Sequence, residues 1–206
     1  MTKKESTEEK ILQAAEEVFV EKGMSGARMQ EIADTAGINK ALLHYYYRSK
    51  QKLFRAVFRK VFPRFLPEVL QVLTRDMPFF EKIEKFTQTY IETMQRHPHV
   101  PLFVIHELSR NPDEFADTIM EVISDLNLNL VERFKREVAR EIDNGTIIEI
   151  DYRHLFVNMI SMCAFPVVGR PIVQRIGFEN NQRDYDRFLE QRKTEVVKFI
   201  ILAIKK

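Results

Sequence analysis

Residues 32–52 read IADTAGINKALLHYYYRSKQK, and this stretch predicts two short helices joined by a tight turn. The first helix has apolar residues at the i, i+3, i+4, i+7 spacing of one buried face: Met29, Ile32, Ala33 and Ala36. Gly37 follows and ends this helix, because glycine tolerates the left-handed backbone of a C-terminal cap. The first helix of the pair is therefore only about two turns long.

The second short helix of the pair begins after Asn39, a residue type that caps helix N-termini. Leu43 and Tyr47 lie four residues apart and share the buried side of this helix. Four residues are then predicted to face outward: Lys40, Ala41, His44 and Tyr45. These outward residues are the candidates for contacting a partner.

An earlier helix supports this pair. Ser6 and Glu9 fit a capping box at its start, and Lys22 and Gly23 supply a cation and a stop at its end. Helices this short are marginal alone in water, so packing must hold them together. The residues predicted to pack against each other are Phe19, Ile32, Ile38, Leu43 and Tyr47.

Basic residues accumulate next to the pair. Between Asp34 and Glu68 the chain has no acidic residue and eight basic ones: Lys40, Arg48, Lys50, Lys52, Arg55, Arg59, Lys60 and Arg64. The whole chain carries a net charge of only +2, so the positive charge is local. Such a local field is expected where a protein binds a polyanion, although a solvated basic helix face gives the same pattern.

A fourth helix is predicted to begin at Lys50, with Ser49 as its cap. The free amides of a helix N-terminus suit a phosphate, and the Lys50 ammonium adds a point charge there. The cap, the turn, the aromatic residues and the cations all occur at the spacing that a helix-turn-helix requires. The sequence therefore predicts a helix-turn-helix that binds DNA.

The segment GMSGARMQEIADTAGINKALLHYYYRSKQKLF, residues 23–54, resembles the N-terminal signature of the TetR family of bacterial transcriptional regulators. The resemblance covers roughly residues 8–58. It implies a three-helix DNA-binding domain, a helical ligand-binding and dimerisation domain, and repression relieved by a small molecule. By matching position, base edges are read by Lys40, Ala41 and His44, and phosphates are held by Tyr45, Tyr46 and Lys50.

Two positions depart from the family pattern. Arg28 stands where a threonine or serine commonly caps the second helix, and a guanidinium can hold a phosphate but cannot cap. His44 stands where an aromatic residue is common, which changes the expected operator preference; a plain surface histidine is the alternative. The complete predicted DNA-binding set is Arg28, Asn39, Lys40, Ala41, His44, Tyr45, Tyr46 and Lys50.

The composition predicts an ordinary globular protein. Of the 206 residues, 45 % are hydrophobic and 30 % are charged. We expect a cytoplasmic location, because no secretory signal and no stretch of about 20 apolar residues is evident. One cysteine, Cys163, excludes an internal disulfide and a cysteine-rich zinc site. A buried, inert thiol is the expected state of Cys163, with a redox sensor as the alternative.

An all-α architecture is expected throughout, because six glycines are too few for the turns of a large sheet. We predict a helix-turn-helix domain over residues 1–50 and a helical ligand-binding and dimerisation domain over 51–206, with a loop between Gly169 and Asn181. The larger domain is predicted to contain a helix from Lys50 broken at Pro63 and Pro67, followed by helices over Phe79 to about Gln95, Pro101 to Ser109, Asn111–Pro112 to Asn144–Gly145, Asp151 to Pro166, and about Arg183 to the C-terminus.

The last two predicted helices carry wide apolar stripes: Leu155, Met159, Met162 and Cys163, then Phe188, Val196, Phe199, Ile200 and Ile204. Stripes of this width predict that the two helices pair with their copies as a four-helix bundle in a twofold dimer, which the family resemblance also implies. The alternative is that both stripes are used in the core of one subunit. A twofold dimer predicts a palindromic operator with half-sites about 34 Å apart.

Sixteen phenylalanines and eight methionines predict a deformable apolar interior that accepts a small, largely apolar effector. The candidate ligand-binding residues are Phe86, Tyr90, Met94, Phe103, His106, Glu107, Met120, Met159 and Met162. Ordinary core packing is the alternative for each apolar one. His106 and Glu107 are candidate polar anchors, or else they face water.

No metal, cofactor or enzymatic activity is predicted. His97 and His99 have no clustered cysteine or carboxylate to complete a zinc site. No phosphate-binding glycine loop or hydrolase motif occurs. The sequence thus predicts a homodimeric, ligand-released repressor bound to an operator. The alternatives are a DNA-bound structural or cell-division control protein of the same fold, and a helical small-molecule-binding protein.

Overall fold

The computed structural model describes residues 6–97, 99–110, 112–125 and 129–206. Within these ranges, the description omits the side chains of residues 20, 25, 61–66, 99, 102, 103, 106, 107, 110, 114, 118, 122 and 125.

The described residues are almost entirely helical, as the sequence predicts. Eleven α-helices and one 3-10 helix, η1, occur in the order α1 (Thr7–Gly26), α2 (Met29–Thr35), α3 (Lys40–Tyr46), α4 (Lys50–Leu70), η1 (Gln71–Thr74), α5 (Phe79–Arg96), α6 (His99–Arg110), α7 (Pro112–Asp125), α8 (Leu130–Asp143), α9 (Tyr152–Val168), α10 (Arg170–Phe178) and α11 (Gln182–Ile204).

The chain divides into two compact units, Met1–Arg64 and Phe65–Lys206. This division lies fourteen residues beyond the expected boundary at residue 50. The first part of α4 belongs to the N-terminal unit because its apolar face is buried there. The rings of Phe19 in α1 and Phe54 in α4 meet edge to face, with centroids 4.6 Å apart.

Helix α1 begins where its sequence predicts and is interrupted at the predicted stop, Gly23. The Ser6 hydroxyl accepts from the Glu9 amide, and the Glu9 carboxylate accepts from the Ser6 amide, which completes the capping box. Gly23 interrupts the helix with a φ of 65°, a left-handed conformation that glycine adopts without steric cost. The last turn, up to Gly26, is thereby separated from the body of α1.

The turn between α2 and α3 has Schellman geometry. The Ile38 amide donates to the Ala33 carbonyl at 3.0 Å and the Gly37 amide donates to the Asp34 carbonyl at 3.1 Å. Gly37 has a φ of 67°, as expected for this motif. One residue on, the Asn39 side chain accepts from the Leu42 amide at 2.7 Å and caps α3. These contacts confirm the predicted helix-turn-helix.

The N-terminal core forms around the predicted residues. Ile32 and Leu43 are fully buried, and Phe19 and Tyr47 are nearly so. Ile38 is half-buried. At the end of α3 the Tyr47 hydroxyl donates to the Glu8 carboxylate at 2.9 Å, which ties α3 to the first turn of α1.

The predicted break in α4 at Pro63 and Pro67 is wrong, because the helix runs through both prolines to Leu70. A proline inside a helix removes one hydrogen bond and crowds the preceding turn, at a cost of about 3 kcal/mol, but its fixed φ is helical. Apolar residues buried on both sides of the prolines stabilise the helix, each by about 1.5–3 kcal/mol. These residues are Leu53, Phe54, Val57, Phe58, Val69 and Leu70.

The core of the C-terminal unit lies mainly between α5, α9 and α11. Its largest fully buried side chains include Phe86 and Ile91 of α5 and Leu155 of α9. Helix α8 adds Phe134 and Val138 to the same cluster. A short antiparallel bridge between Ile147 and Lys205 fastens the end of α11 to the segment after α8.

Helix α9 begins at the predicted cap, Asp151, whose carboxylate accepts from the Arg153 amide at 2.8 Å. Hydrogen bonds from the Arg153 side chain, followed by those from its amide, lower the pKa of Asp151 to about 2. Both residues are largely at the surface, so this contact orders the first turn of α9 more than it stabilises the core.

The other end of α9 is held by side chains of α11. Pro166 lies inside α9 and has no amide to donate to the Met162 carbonyl one turn before it. Arg192 replaces that donor, with Nη2 2.8 Å from the Met162 carbonyl oxygen. The buried Tyr185 hydroxyl donates to the Pro166 carbonyl at 2.7 Å. Helix α9 therefore extends past its proline to Val168.

Two other predicted boundaries differ from the structure. The long helix predicted from Pro112 is two helices, α7 and α8, and Asn129 before α8 is left-handed with a φ of 42°. Asparagine favours such breaks because its side chain competes for backbone hydrogen bonds. Asn111, the predicted cap, lies outside the described residues. Helix α6 begins at His99, so Pro101 still lies in the first turn, where an amide has no partner.

The region predicted to contain a loop, from Gly169 to Asn181, is mostly the helix α10, and residues 179–181 lie between α10 and α11. Gly169 ends α9, and Pro171 lies in the first turn of α10, a position that proline favours. The Val173 amide donates to the Gly169 carbonyl at 2.9 Å and closes that turn. The glycine and proline mark a sharp corner between two helices and not an irregular loop.

The predicted apolar stripes are used mainly in the subunit's own core. Leu155, Met159, Cys163, Val196, Ile200 and Ile204 are buried, Met162 and Phe188 are half-buried, and Phe199 is exposed. The structure exposes three further large apolar side chains on α9 and α11: Val157, Phe165 and Leu202. Both helices therefore keep an apolar outer side, composed largely of residues other than those predicted.

In the part of the chain that the structure describes, no helix by itself has the length and apolar character to cross a membrane. The pair α9 and α10 meets the length and composition criterion jointly, with a bend of 75° between the two helices.

We predict that Leu43→Ala destabilises the N-terminal unit by about 2–5 kcal/mol, because Leu43 is 0 % exposed and its truncation leaves a cavity. Leu42→Ala is the matched control, because Leu42 is 36 % exposed and should cost well under about 1 kcal/mol. Urea denaturation followed by circular dichroism measures both. Equal losses for the two variants would show that burial of Leu43 does not hold α3.

Candidate nucleic-acid interface and ligand site

The outer face of α3 contains the predicted base-reading residues. Lys40, Ala41 and His44 are all exposed, whereas Leu43 between them is buried. Lys40 and His44 are four residues apart and therefore lie one above the other on this seven-residue helix. The Asn39 cap fixes where the helix starts, so it also fixes which residues occupy its first exposed turn.

The three consecutive tyrosines have different environments. Tyr47 is buried and bonded to Glu8, whereas Tyr45 and Tyr46 are 80 % and 40 % exposed. The rings of Tyr45 and Tyr46 contact each other edge to face, with centroids 5.6 Å apart. Burial and the Glu8 carboxylate raise the pKa of Tyr47, so its hydroxyl stays protonated. Two tyrosines thus remain on the surface next to the predicted base-reading residues.

Lys50 contacts the backbone of Ala27, the residue just before Arg28. Arg28 is exposed and precedes α2 without any side-chain cap bond, as its chemistry predicts. The Lys50 ammonium is half-buried and donates to the Ala27 carbonyl at 3.0 Å. Lys50 therefore holds the residue just before Arg28 against the start of α4. The sequence alone does not indicate this positioning contact.

The start of α4 is capped as predicted. The Ser49 hydroxyl accepts from the Lys52 amide at 3.2 Å, and the Ser49 carbonyl accepts from the Leu53 amide at 3.1 Å. Arg48 and Lys52 are exposed on either side of this cap. The positive end of the α4 dipole and these cations together favour an anion here.

The predicted ligand-binding residues do not form one group in the described structure. Phe86 and Met159 belong to the buried core cluster, and Tyr90 and Met162 pack against it. Met94 lines a cleft described below, and Met120 is exposed on α7. Met120 therefore does not pack in the core, and its contact with a ligand stays a prediction. The side chains of Phe103, His106 and Glu107 lie outside the described residues.

A group of polar residues lies inside the C-terminal core, and of the residues in this group only Tyr90 belongs to the predicted ligand-binding set. Burial raises the pKa of Cys163 to about 12, and nearby Arg192 and Thr87 lower it by less. Burial also raises the pKa of Tyr90 to about 12. The Nε atom of Arg192 is buried and has no hydrogen-bond partner among the described residues. Pro166 is the sequence signal for this group, because the carbonyl it leaves without a donor attracts Arg192.

A cleft of about 520 Å³ opens where the end of α5 meets the corner between α9 and α10 and the first half of α11. Its apolar wall contains Met94, Val167 and Leu189, and charged residues of α10 and α11 line the remainder. Arg170 lies over the Tyr185 ring at 5.3 Å and donates to Gln174 at 3.2 Å. The cleft offers a small molecule both apolar surface and fixed cations.

Histidine, cysteine and carboxylate side chains do not gather into groups of three or more suited to a metal ion within the described residues.

Comparison with known proteins finds a family match in the N-terminal part of the chain. Residues 11–57, which contain α2, α3 and the start of α4, match the family model described as bacterial regulatory proteins, tetR family. Over these residues the chain is similar to the TetR family. The match coincides with the helix-turn-helix and its exposed α3 face, and it agrees with the resemblance seen in the sequence.

Two curated relatives of this chain are regulators. The HTH-type transcriptional regulator RutR of Escherichia coli (strain K12) is 28 % identical over 145 residues, which are 70 % of this chain and 66 % of RutR. The chain thus aligns with slightly less than two thirds of RutR. The biofilm operon icaADBC HTH-type negative transcriptional regulator IcaR of Staphylococcus aureus (strain Newman) is 26 % identical over 139 residues, 68 % of this chain and 71 % of IcaR.

A solved structure extends the likeness in fold to nearly the whole chain. The transcriptional regulator FadR from Bacillus subtilis, in complex with stearoyl-CoA, matches with a TM-score of 0.60 and 16 % identity, over 93 % of this chain and 96 % of that one. At this identity the match shows the fold, including the helical C-terminal unit.

We predict that Cys163 reacts with a thiol reagent at pH 8 at least about a hundredfold more slowly in the folded protein than in denaturant. A pKa of about 12 leaves almost no thiolate at pH 8, and the thiolate is the reactive form. The folded rate should keep rising towards pH 12, whereas the unfolded rate should level off above about pH 9. Equal rates at pH 8 would contradict the buried, inert state.

Proposed function

We propose that this chain is a TetR-family transcriptional regulator that binds DNA and responds to a ligand, acting as a dimeric repressor on a palindromic operator. The observation that carries the proposal is the capped α3 helix, which presents Lys40, Ala41 and His44 to solvent while Leu43 anchors it. The names of RutR and IcaR support regulation of transcription, and that of IcaR supports repression.

Base readout is assigned to the first exposed turn of α3. A major groove admits one helix, and side chains on the leading turn of that helix reach the base edges. Lys40 can donate to guanine acceptors, and His44 can donate to or accept from a base edge. Ala41 between them is small enough to lie against a thymine methyl group.

Phosphate contacts are assigned to the residues around α3. Tyr45 and Tyr46 can donate their hydroxyls, and Arg28 can donate from its guanidinium. Lys50 adds positive charge at the start of α4, which attracts DNA phosphates. Its ammonium also holds the Ala27 carbonyl, which positions the protein backbone before Arg28. Asn39 contributes through its cap, which sets the start of α3.

Lys40→Ala and Lys50→Ala should affect DNA binding differently. Losing the Lys40 base contact should cost about 1–3 kcal/mol at the preferred base and relax the sequence preference there. Losing the Lys50 charge should weaken binding at all sequences and lower the salt slope by about one. Operator sites are selected from random duplexes, and fluorescence anisotropy at several salt concentrations then measures affinity.

Lys85→Ala is the matched control for these variants, because Lys85 is an exposed lysine of α5 in the other unit. If Lys50→Ala lowers the affinity but leaves the salt slope unchanged, Lys50 acts only by positioning Ala27 and does not contact a phosphate. Absence of duplex affinity in dilute buffer for the wild-type protein would refute the proposed function.

The dimer is assigned to the outer side of α9 and α11. Phe199 and Leu202 of α11 and Val157 and Phe165 of α9 are large apolar side chains left in solvent. Apolar surface of this kind on two long helices is typical of an interface. A second copy would cover it with the same two helices and complete a four-helix bundle.

We predict that Phe199→Glu combined with Leu202→Glu converts the dimer to a monomer, because four charges would then be buried at the twofold interface without partners. Val131→Glu is the matched control, because Val131 is exposed on α8 and not on this face. Sedimentation at micromolar concentration measures the mass. A wild-type protein that sediments as a monomer contradicts the dimer.

The effector is proposed to be a small, largely apolar molecule bound in the C-terminal unit. The apolar wall and charged border of the α5–α9–α11 cleft and the buried polar group around Arg192 support an amphipathic ligand. Such a ligand can release DNA only through its differential affinity for the conformer that does not fit the operator. Release of selected duplexes by candidate compounds tests this step.

Two other functions remain testable alternatives. A DNA-bound structural or cell-division control protein of this fold would occupy many chromosomal sites, so mapping the bound sites across the genome separates it from a local repressor. A helical small-molecule-binding protein would have ligand affinity without duplex affinity. The excess of basic residues between Asp34 and Glu68 favours the DNA-binding functions over this last one.

A further inference from the structure

A strongly cationic cleft lies on the C-terminal unit, where η1 and the start of α5 meet α8. It has a volume of about 460 Å³. Its walls carry five cationic side chains and two acidic ones: Arg75, Arg133, Arg136, Arg140, Lys82, Asp76 and Glu137. We name it the arginine cleft. Neither the helix-turn-helix nor the proposed effector cleft uses any of these residues.

One wall of the arginine cleft is a row of arginines on α8. Arg133, Arg136 and Arg140 follow each other at i, i+3 and i+7, so they share one side of the helix. The buried residues Phe134 and Val138 fix the rotation of α8 against the core. The row is thereby held at a defined edge of α8 and does not depend on a flexible loop.

The opposite wall comes from a distant part of the chain. Arg133 donates through Nη2 to the Thr74 carbonyl at 2.5 Å, which joins α8 to the end of η1. Arg75 follows directly after Thr74, so this contact brings a further guanidinium beside the α8 row. Convergence of cations from two segments distinguishes the cleft from an ordinary solvated helix face.

The floor of the cleft is a buried ion pair. The Lys82 ammonium is 2.6 Å from both carboxylate oxygens of Glu137, and both side chains are almost fully buried. A buried pair of this kind persists only when its geometry is well satisfied. Because Glu137 is engaged by Lys82, its charge offsets the lysine more than it offsets the arginines.

The guanidinium groups above this floor have many unused donors. Arg75 forms no side-chain hydrogen bond or ion pair with the described residues. Arg136 uses only Nε, which donates to the Glu132 carbonyl at 3.2 Å. Arg140 lies 3.8 Å from Glu137 and 3.5 Å from Glu141, which are long contacts. Several N–H groups thus point to no strong acceptor in the described structure.

We propose that the arginine cleft binds an oxyanion of the phosphate class, either as the free ion or as a phosphate group on a small molecule. Planar guanidinium groups bind phosphate oxygens in pairs through charge-assisted hydrogen bonds. Four of them surround the cleft, and Asp76 is the only acid in its lining that has no cationic partner among the described residues. The proposal does not depend on DNA binding or on an apolar effector.

Isothermal titration of the full-length protein with inorganic phosphate, without DNA, tests the proposal at constant ionic strength. We expect saturable binding to the wild-type protein and a loss of at least about tenfold in affinity for Arg75→Ala combined with Arg136→Ala, since each removes charge-assisted hydrogen bonds. Lys135→Ala is the matched control, because Lys135 is an exposed cation of α8 outside the cleft, and it should bind as the wild type does.

A further variant tests whether a loss of binding comes from misfolding, and further probes identify the ligand. Arg136→Lys keeps the charge but not the planar fork, so it should bind more weakly than wild type while melting at the same temperature. Saturation by inorganic phosphate supports the free ion. Saturation only by adenosine 5′-monophosphate or glucose 6-phosphate supports a phosphate carried on a larger molecule.

Two results would overturn the proposal. One is no saturable binding of any of these probes to the wild-type protein. The other is phosphate binding that falls with Lys50→Ala but not with the Arg75 and Arg136 changes, because the anion would then bind at the N-terminal unit. Neither result bears on the DNA-binding proposal, which is measured separately with duplexes.

Discussion

Burial of Leu43 is the contact on which the proposed DNA-binding surface depends. Helix α3 has seven residues and cannot persist alone in water, so its position comes from packing and from its cap. Leu43 anchors the middle of the helix, Asn39 fixes its start, and Tyr47 ties its end to Glu8. These three constraints together determine which residues of α3 face solvent. The exposed positions of Lys40 and His44 are a consequence of how α3 is buried.

In the C-terminal unit, α11 has a comparable role. It packs along α5 and α9, and it also repairs the hydrogen bonding that Pro166 disrupts in α9. Arg192 and Tyr185 donate to the two carbonyls nearest the proline. A half-buried cation is thereby placed near the buried thiol of Cys163 for a structural reason. A ligand that needs a donor in this core would find one that the fold already requires.

The basic residues of this protein form two different kinds of surface. Basic residues without acidic neighbours accumulate between Asp34 and Glu68, where a polyanion is expected to bind. The arginine cleft is different, because its cations converge from η1 and α8 around a buried Lys82–Glu137 pair. The first is a broad field that suits a repeating backbone. The second is a confined site that suits a single anionic group.

The sequence by itself determined the local features of the N-terminal unit, because caps, glycine turns and the 3.6-residue period act over a few neighbouring residues. The Asn39 cap, the Gly37 turn and the buried side of α3 are examples. Only the tertiary structure decided that α4 continues through Pro63 and Pro67, that Lys50 bonds to Ala27, and that most of the apolar stripe on α11 is used inside one subunit. Each of these depends on partners distant in the chain, whose burial energy outweighs a local preference and whose identity no local pattern encodes.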